Sequence, residues 1–200
     1  MTRETLFALA LGYLFGSVPF GLILTRLAGK GDIRQIGSGN IGATNVLRTG
    51  SKLLALLTAL LDCLKGAAAI VIASRLFGEE AGLAAAAGAM IGHLYPVWLK
   101  FRGGKGAATL FGVLLVLLPI AAGVYAAIWL LLLLTIRISS VAGMTAAISA
   151  PLTAVIAGKK MLFPMLLGFS FLVLWKHREN IFRLRKGTEP RIGSKTSSIA

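Results

Sequence analysis

Three short polar stretches hold most of the residue types that could do chemistry. Ile36–Arg48 reads IGSGNIGATNVLR, Lys100–Thr109 reads KFRGGKGAAT, and Lys176–Arg191 reads KHRENIFRLRKGTEPR. Glycine has no Cβ, so backbone N–H groups can approach a ligand closely, and successive amides form anion-binding concavities. Arginine's planar fork matches phosphate oxygens bidentately, and lysine adds a point charge. The chemistry suggested is phosphate binding with charge compensation. In the first insert the candidates are Gly37, Ser38, Gly39, Asn40, Thr44, Asn45 and Arg48. In the second they are Gly103, Gly104 and Lys105, just before a helix start expected at Ala107, where an anion is favoured. In the third they are His177, Asn180 and Glu179, where an apolar run meets water. Ser140, after Arg137, opens another apolar run as a helix cap or a site-lining hydroxyl.

Each stretch also has a plain structural reading. Gly37, Gly39 and Gly42 match G-x-G-x-x-G, and Asp62 follows about 20 residues on, as a dinucleotide site would want. That motif needs a strand–turn–helix setting, which this chain does not offer, and a glycine-rich connecting turn is the simpler alternative. Gly103–Gly106 departs from the phosphate-loop pattern because Gly106 follows the lysine, so a basic loop beside a span would also explain it. Arg183, Arg185 and Lys186 fit an amphipathic basic helix lying on anionic headgroups. His93 stands just before the second insert; it reads first as structural and stays a second-tier site candidate. Asp62 and Lys65 lie one helical turn apart, suiting an ion pair or, more sharply, a proton path. Two distant histidines and one cysteine make no metal site, and no cofactor is expected.

The elements that must position these residues are apolar. The chain has 200 residues and only 14% are charged, against about 25% in a soluble domain. Mean hydropathy is +0.83. Spans are expected at Glu4–Leu27, Leu53–Phe77, Ala81–Leu99, Ala107–Leu118, Ile120–Ile136, Val141–Ala157 and Met161–Trp175. The first is read as retained, since no signal-peptide cleavage site follows it. Pro119 divides a run too long for one span.

Charge decides the count. With that run split, all three inserts share one face with most of the lysines and arginines, and the other face keeps only Arg3, Arg75, Lys159 and Lys160. The positive-inside rule then puts the N-terminus outside and the tail in the cytoplasm. The expected protein is all-α and polytopic, with about seven transmembrane helices in one domain over 1–200 and a flexible tail at 191–200. Loops facing anionic lipid explain most of the net charge of +14 and anionic substrates are the expected source of the rest; nucleic acid is not expected as a partner. The lone Cys63 leaves redox compartment open.

GSVPFG (Gly16–Gly21) with IGSGNIGATNVLR, then GHLYPVWLKFRGGKGAAT (Gly92–Thr109), then KHRENIFRLRKGTEP (Lys176–Pro190), in this order and spacing, resemble the bacterial membrane glycerol-3-phosphate acyltransferases that use acyl phosphate. The resemblance implies a seven-helix membrane fold in the cytoplasmic (inner) membrane. It implies transfer of an acyl chain from acyl phosphate to the 1-hydroxyl of glycerol 3-phosphate, giving lysophosphatidic acid and phosphate. It also implies a soluble partner that makes acyl phosphate. Carried onto matching positions, Ser38, Arg48 and Lys105 hold phosphate, Gly103 and Gly104 permit amide contact, and His177 and Asn180 orient the acceptor. The H-x-x-x-x-D signature of soluble-type acyltransferases is absent, since Trp98 and Phe182 occupy the fifth position after each histidine. The hydroxyl proton goes to His177 or to the donor phosphate, and the want of a carboxylate orienting the histidine favours the phosphate. The alternative from another class is a transporter of small phosphorylated anions, though no inverted repeat is evident.

Overall fold

The computed structural model describes residues 2–193. Most of the expected tail lies outside them; within them Ile192 donates its N–H to Arg137 O at 2.7 Å. The elements are helical. α1 (Arg3–Ser17) is capped by Thr2. It ends at Ser17 because the residue before Pro19 is disfavoured in helical geometry. α2 (Phe20–Leu27) then resumes. The expected single run Glu4–Leu27 is therefore a broken helix, and at the break Lys65 Nζ donates to the Val18 carbonyl at 2.8 Å, which also accepts the Phe20 N–H at 3.2 Å.

The first insert contains α3 (Ala43–Val46), one turn long. α4 (Lys52–Phe77) is capped by Ser51, and α5 (Glu79–Leu94) follows directly. α5 stops short of the expected Leu99 because Pro96 intervenes, leaving a 3₁₀ turn at Val97–Leu99. α6 (Ala107–Leu117) and α7 (Pro119–Thr135) meet at Pro119, where the sequence places a break. Proline opens α7 at a position whose N–H needs no partner. α8 (Ser139–Ile156), α9 (Phe163–Lys176) and α10 (Arg178–Arg185) complete the order.

Arg3–Leu27, Lys52–Phe77, Glu79–Leu99 and Ser139–Ile156 are long and apolar enough to cross a bilayer, and Ala107–Leu117 and Pro119–Thr135 are shorter apolar helices. Large apolar side chains such as Phe7, Leu56, Leu134 and Phe171 remain exposed, as lipid-facing surface requires. Lipid offers little hydrophobic drive between helices, so association rests on close packing of small residues. α1 and α5 do this reciprocally. A Cβ on Gly12 or Gly16 would overlap the backbone of Ala85 or Ala89, and one on Gly88 or Gly92 would overlap that of Leu9 or Tyr13. Larger buried side chains, among them Met90, Leu110, Leu114, Leu166 and Val173, fill the centre between α5, α6, α8 and α9.

Candidate active site

The first insert is organised by Asn45. This buried amide donates through Nδ2 to the carbonyls of Ile33 at 2.7 Å and Ile36 at 3.2 Å. Its Oδ1 accepts from the Ser38 N–H at 3.1 Å and from Arg48 Nη1 at 3.3 Å. Asn45 thus fixes both predicted phosphate ligands of its segment. Gly37 turns with φ 57°, and a Cβ there would run into Arg48 and Asn45. Asn40 serves locally, accepting the Gly42 N–H at 2.8 Å. Asp32 holds the entry to the segment through ion pairs with Arg26 and Arg34.

The second insert folds back on the end of α5. Gly103 N–H donates to Leu94 O at 3.2 Å and Gly104 N–H to His93 O at 3.0 Å. This docking aims Lys105 at the third insert, where its Nζ donates to Asn180 Oδ1. Asn180 in turn donates through Nδ2 to Glu189 Oε1 at 2.5 Å. Glu189 also accepts from Ser140 Oγ at 2.7 Å and from Arg183 Nε at 2.7 Å. The segment after α10 is thereby tied over the start of α8.

His177 caps α9. Its Nδ1 hydrogen-bonds the Val173 carbonyl at 2.7 Å. A carbonyl only accepts, so Nδ1 carries the proton and Nε2 presents a lone pair, on the side of Gly143. Burial pushes the His177 imidazole down to about 4; the Val173 bond opposes this and the Lys105 charge adds to it. Burial likewise pushes Lys105 down to about 8, with repulsion from Arg183 and partial relief from Glu189. Burial lowers Arg48 too, with Glu189 opposing and Arg183 adding. Burial raises the Glu189 carboxyl, but hydrogen bonds from Asn180, Ser140 and Arg183 outweigh it and leave the group below its ordinary value. Arg48, Lys105 and Arg183 therefore form one interacting cationic cluster around Glu189, with Glu179 acting from further out. Such a cluster matches a polyanionic ligand.

The three inserts converge, as their composition suggests. Ser38, Asn45, Arg48, Lys105, His177, Asn180 and Ser140 belong to the assembly. Gly37, Gly39, Gly103 and Gly104 shape its backbone, and Asn40 braces it. Thr44 is exposed on α3. Glu179 is exposed as well, and acts on Lys105 and Lys176 only through its field. The carboxylate that engages Asn180 is Glu189, which sequence reasoning passed over. Its signal was faint: one acid inside a run of bases, followed by proline.

A family profile described as Glycerol-3-phosphate acyltransferase matches residues 6–187. The chain belongs to the glycerol-3-phosphate acyltransferase family. Among its relatives, the glycerol-3-phosphate acyltransferase of Rhodopseudomonas palustris (strain BisB5) is 55% identical over 188 residues, covering 94% of this chain and 96% of that protein. The one from Nitrobacter winogradskyi is 56% identical over 196 residues, covering 98% of this chain and all of its own length, 100%. The crystal structure of PlsY (YgiH), an integral membrane glycerol 3-phosphate acyltransferase in its glycerol 3-phosphate form, superposes with a TM-score of 0.89 at 40% identity, covering 94% of this chain and 96% of that one. Its lysophosphatidic acid form gives 0.86 at 39% identity, covering 94% and 95%. This glycerol-3-phosphate acyltransferase is thus a multi-pass bacterial membrane enzyme. Its function is acyl transfer to glycerol 3-phosphate rather than anion transport.

Proposed function

We propose that the enzyme takes its acyl chain from acyl phosphate and passes it to the 1-hydroxyl of sn-glycerol 3-phosphate, releasing inorganic phosphate. The carrying observation is the cluster of Arg48, Lys105 and Arg183 around Glu189. Two phosphorylated substrates suit several cations only partly balanced by acids. The hydroxyl oxygen attacks the acyl carbonyl, the bond from that carbon to the phosphate oxygen breaks, and the hydroxyl proton leaves on the departing phosphate. Arg48 and Ser38 hold one phosphate, and Lys105 offsets the charge developing on the leaving group. Asn180 and His177 Nε2 orient the acceptor. His177 has the lone pair for a base, but its depressed pKa leaves little affinity for a proton. The leaving phosphate is the better acceptor, and the role of His177 is to accept a hydrogen bond from the hydroxyl.

In this reading the chain has seven spans, with the N-terminus outside and the three inserts in the cytoplasm. A soluble enzyme delivers acyl phosphate there, and the lipid product leaves sideways into the bilayer. The test is phosphate release by purified protein in lipid, given acyl phosphate with and without glycerol 3-phosphate. Release should depend on the acceptor and vanish in Arg48→Ala and Lys105→Ala. Turnover with acyl-CoA alone would mean a different donor.

A further inference from the structure

Beneath the cationic site lies a second polar cluster that the proposed mechanism does not use. Asp62, Lys65 and His93 are 3%, 4% and 4% exposed. Lys65 Nζ stands 2.7 Å from Asp62 Oδ1 and also donates to Val18 O at the α1/α2 break. His93 Nδ1 lies 3.8 Å from the same Asp62 oxygen and has no hydrogen-bond partner among the described residues. The opposite edge of the ring faces the second insert. A Cβ on Gly104 would overlap His93 Nε2 and Cε1, and one on Gly103 would overlap the His93 carbonyl. Gly104 N–H is bound to that same carbonyl. Both the backbone and the ring of His93 therefore set where Gly103–Gly104 can lie.

A buried ion pair is weak as a source of stability, because desolvation offsets most of its attraction. Its use here is placement. Lys65 joins the Phe20 N–H on the Val18 carbonyl at the α1/α2 break, Asp62 balances Lys65, and the imidazole stands between Asp62 and Gly104. Lys105 follows Gly104 directly and must reach Asn180. Small vertical displacements of the loop would carry its ammonium off that contact.

We propose that His93 is a positioning residue for acyl transfer: its ring, backed by the Asp62–Lys65 pair, is the floor that sets the height of the Gly103–Gly104 backbone and hence of Lys105. This rests on the functional reading above and adds a residue to which that reading gives no substrate contact.

The test is a double-mutant cycle on kcat for phosphate release, with Gly104→Ala, His93→Ala and the double variant in lipid. Misplacement by about 1 Å can cost on the order of 100-fold in rate. Gly104→Ala should lose about that much in the wild-type background, and much less when His93→Ala has already removed the ring it strikes. With kcat expressed per folded molecule the loss should persist, whereas a general loss of folding would leave kcat per folded molecule unchanged. An equal kcat penalty for Gly104→Ala in both backgrounds would overturn the proposal, assigning the glycine to substrate approach. So would a His93→Ala protein with wild-type kcat. If His93→Ala does not accumulate, His93→Asn takes its place. Failure of both to accumulate while Gly104→Ala does would assign His93 to folding alone, also against the proposal. An inactive wild-type protein would instead count against the donor assignment, so the two failures are distinct.

Discussion

Asn180 presents its two amide atoms to opposite charges: Nδ2 donates to Glu189 Oε1 at 2.5 Å while Oδ1 accepts from Lys105. The carboxylate therefore fixes which way the amide points, and the amide fixes the ammonium. Neither end can be exchanged without leaving a neighbour misdirected.

Asn180→Asp tests this orientation. The change is isosteric, but it removes the donor and sets two carboxylates against each other. A hydrogen bond to a charged group contributes about 1.5–3 kcal/mol, so kcat/KM should fall by at least about tenfold. Steady-state phosphate release checks it, and unchanged kinetics would remove Asn180 from the site.

Arg48 is held by Asn45 Oδ1 through one nitrogen, leaving most of its fork for a phosphate. Arg48→Lys keeps the charge and loses the paired geometry. The expected loss in kcat/KM is more than about tenfold, with a smaller deficit than in Arg48→Ala. Equal activity of Arg48→Lys and wild type would mean that a point charge suffices.

The pH profile should carry the mark of Lys105. Its ordinary value is 10.5 and burial brings it down to about 8. A lysine is charged below its pKa and neutral above it, so kcat/KM should decline as pH rises through about 8. Lys105→Arg should retain whatever activity it has through that interval. A wild-type profile flat to pH 10 in buffered lipid would show that the ammonium is not required in the free enzyme.

His177→Gln removes a base and leaves an acceptor. Loss of a general base costs about 10²–10⁴-fold. With the leaving phosphate taking the proton, kcat at saturating substrate should fall by less than about 100-fold. A larger fall in a protein that melts normally would return the proton to His177.

The α1–α5 contact should be intolerant of side chains. Gly88 abuts Leu9 O and Tyr13 N, backbone atoms that cannot rotate away. Gly88→Val should destabilise by about 1–3 kcal/mol, seen as a lower melting temperature in detergent. Gly123 has open space around its Cβ position and is the matched control; an equal shift for Gly123→Val would argue against specific packing.

Much of this protein follows from local features of the chain. Run length located most of the helices and Pro119 marked one break, because span length and missing N–H groups are properties of a segment by itself; the breaks at Pro19 and Pro96 were not read. Side-chain type was enough to single out Arg48, Lys105, His177 and Asn180, since phosphate demands donors and cations wherever they come together. Where they come together was decided by tertiary packing. Lys105 meets Asn180 across 75 positions of sequence, and Ser140 meets Glu189 across 49. No periodicity encodes such pairings. Glu179 lies next to Asn180 in the chain, yet the turn after α10 brings Glu189 to that amide and leaves Glu179 exposed. Likewise, Asp62 and Lys65 were legible as a helical pair from their spacing. Their link to Val18 at a helix break, and through His93 toward Gly104, exists only because close-packed glycines and short loops bring α1, α4, α5 and the second insert to one place.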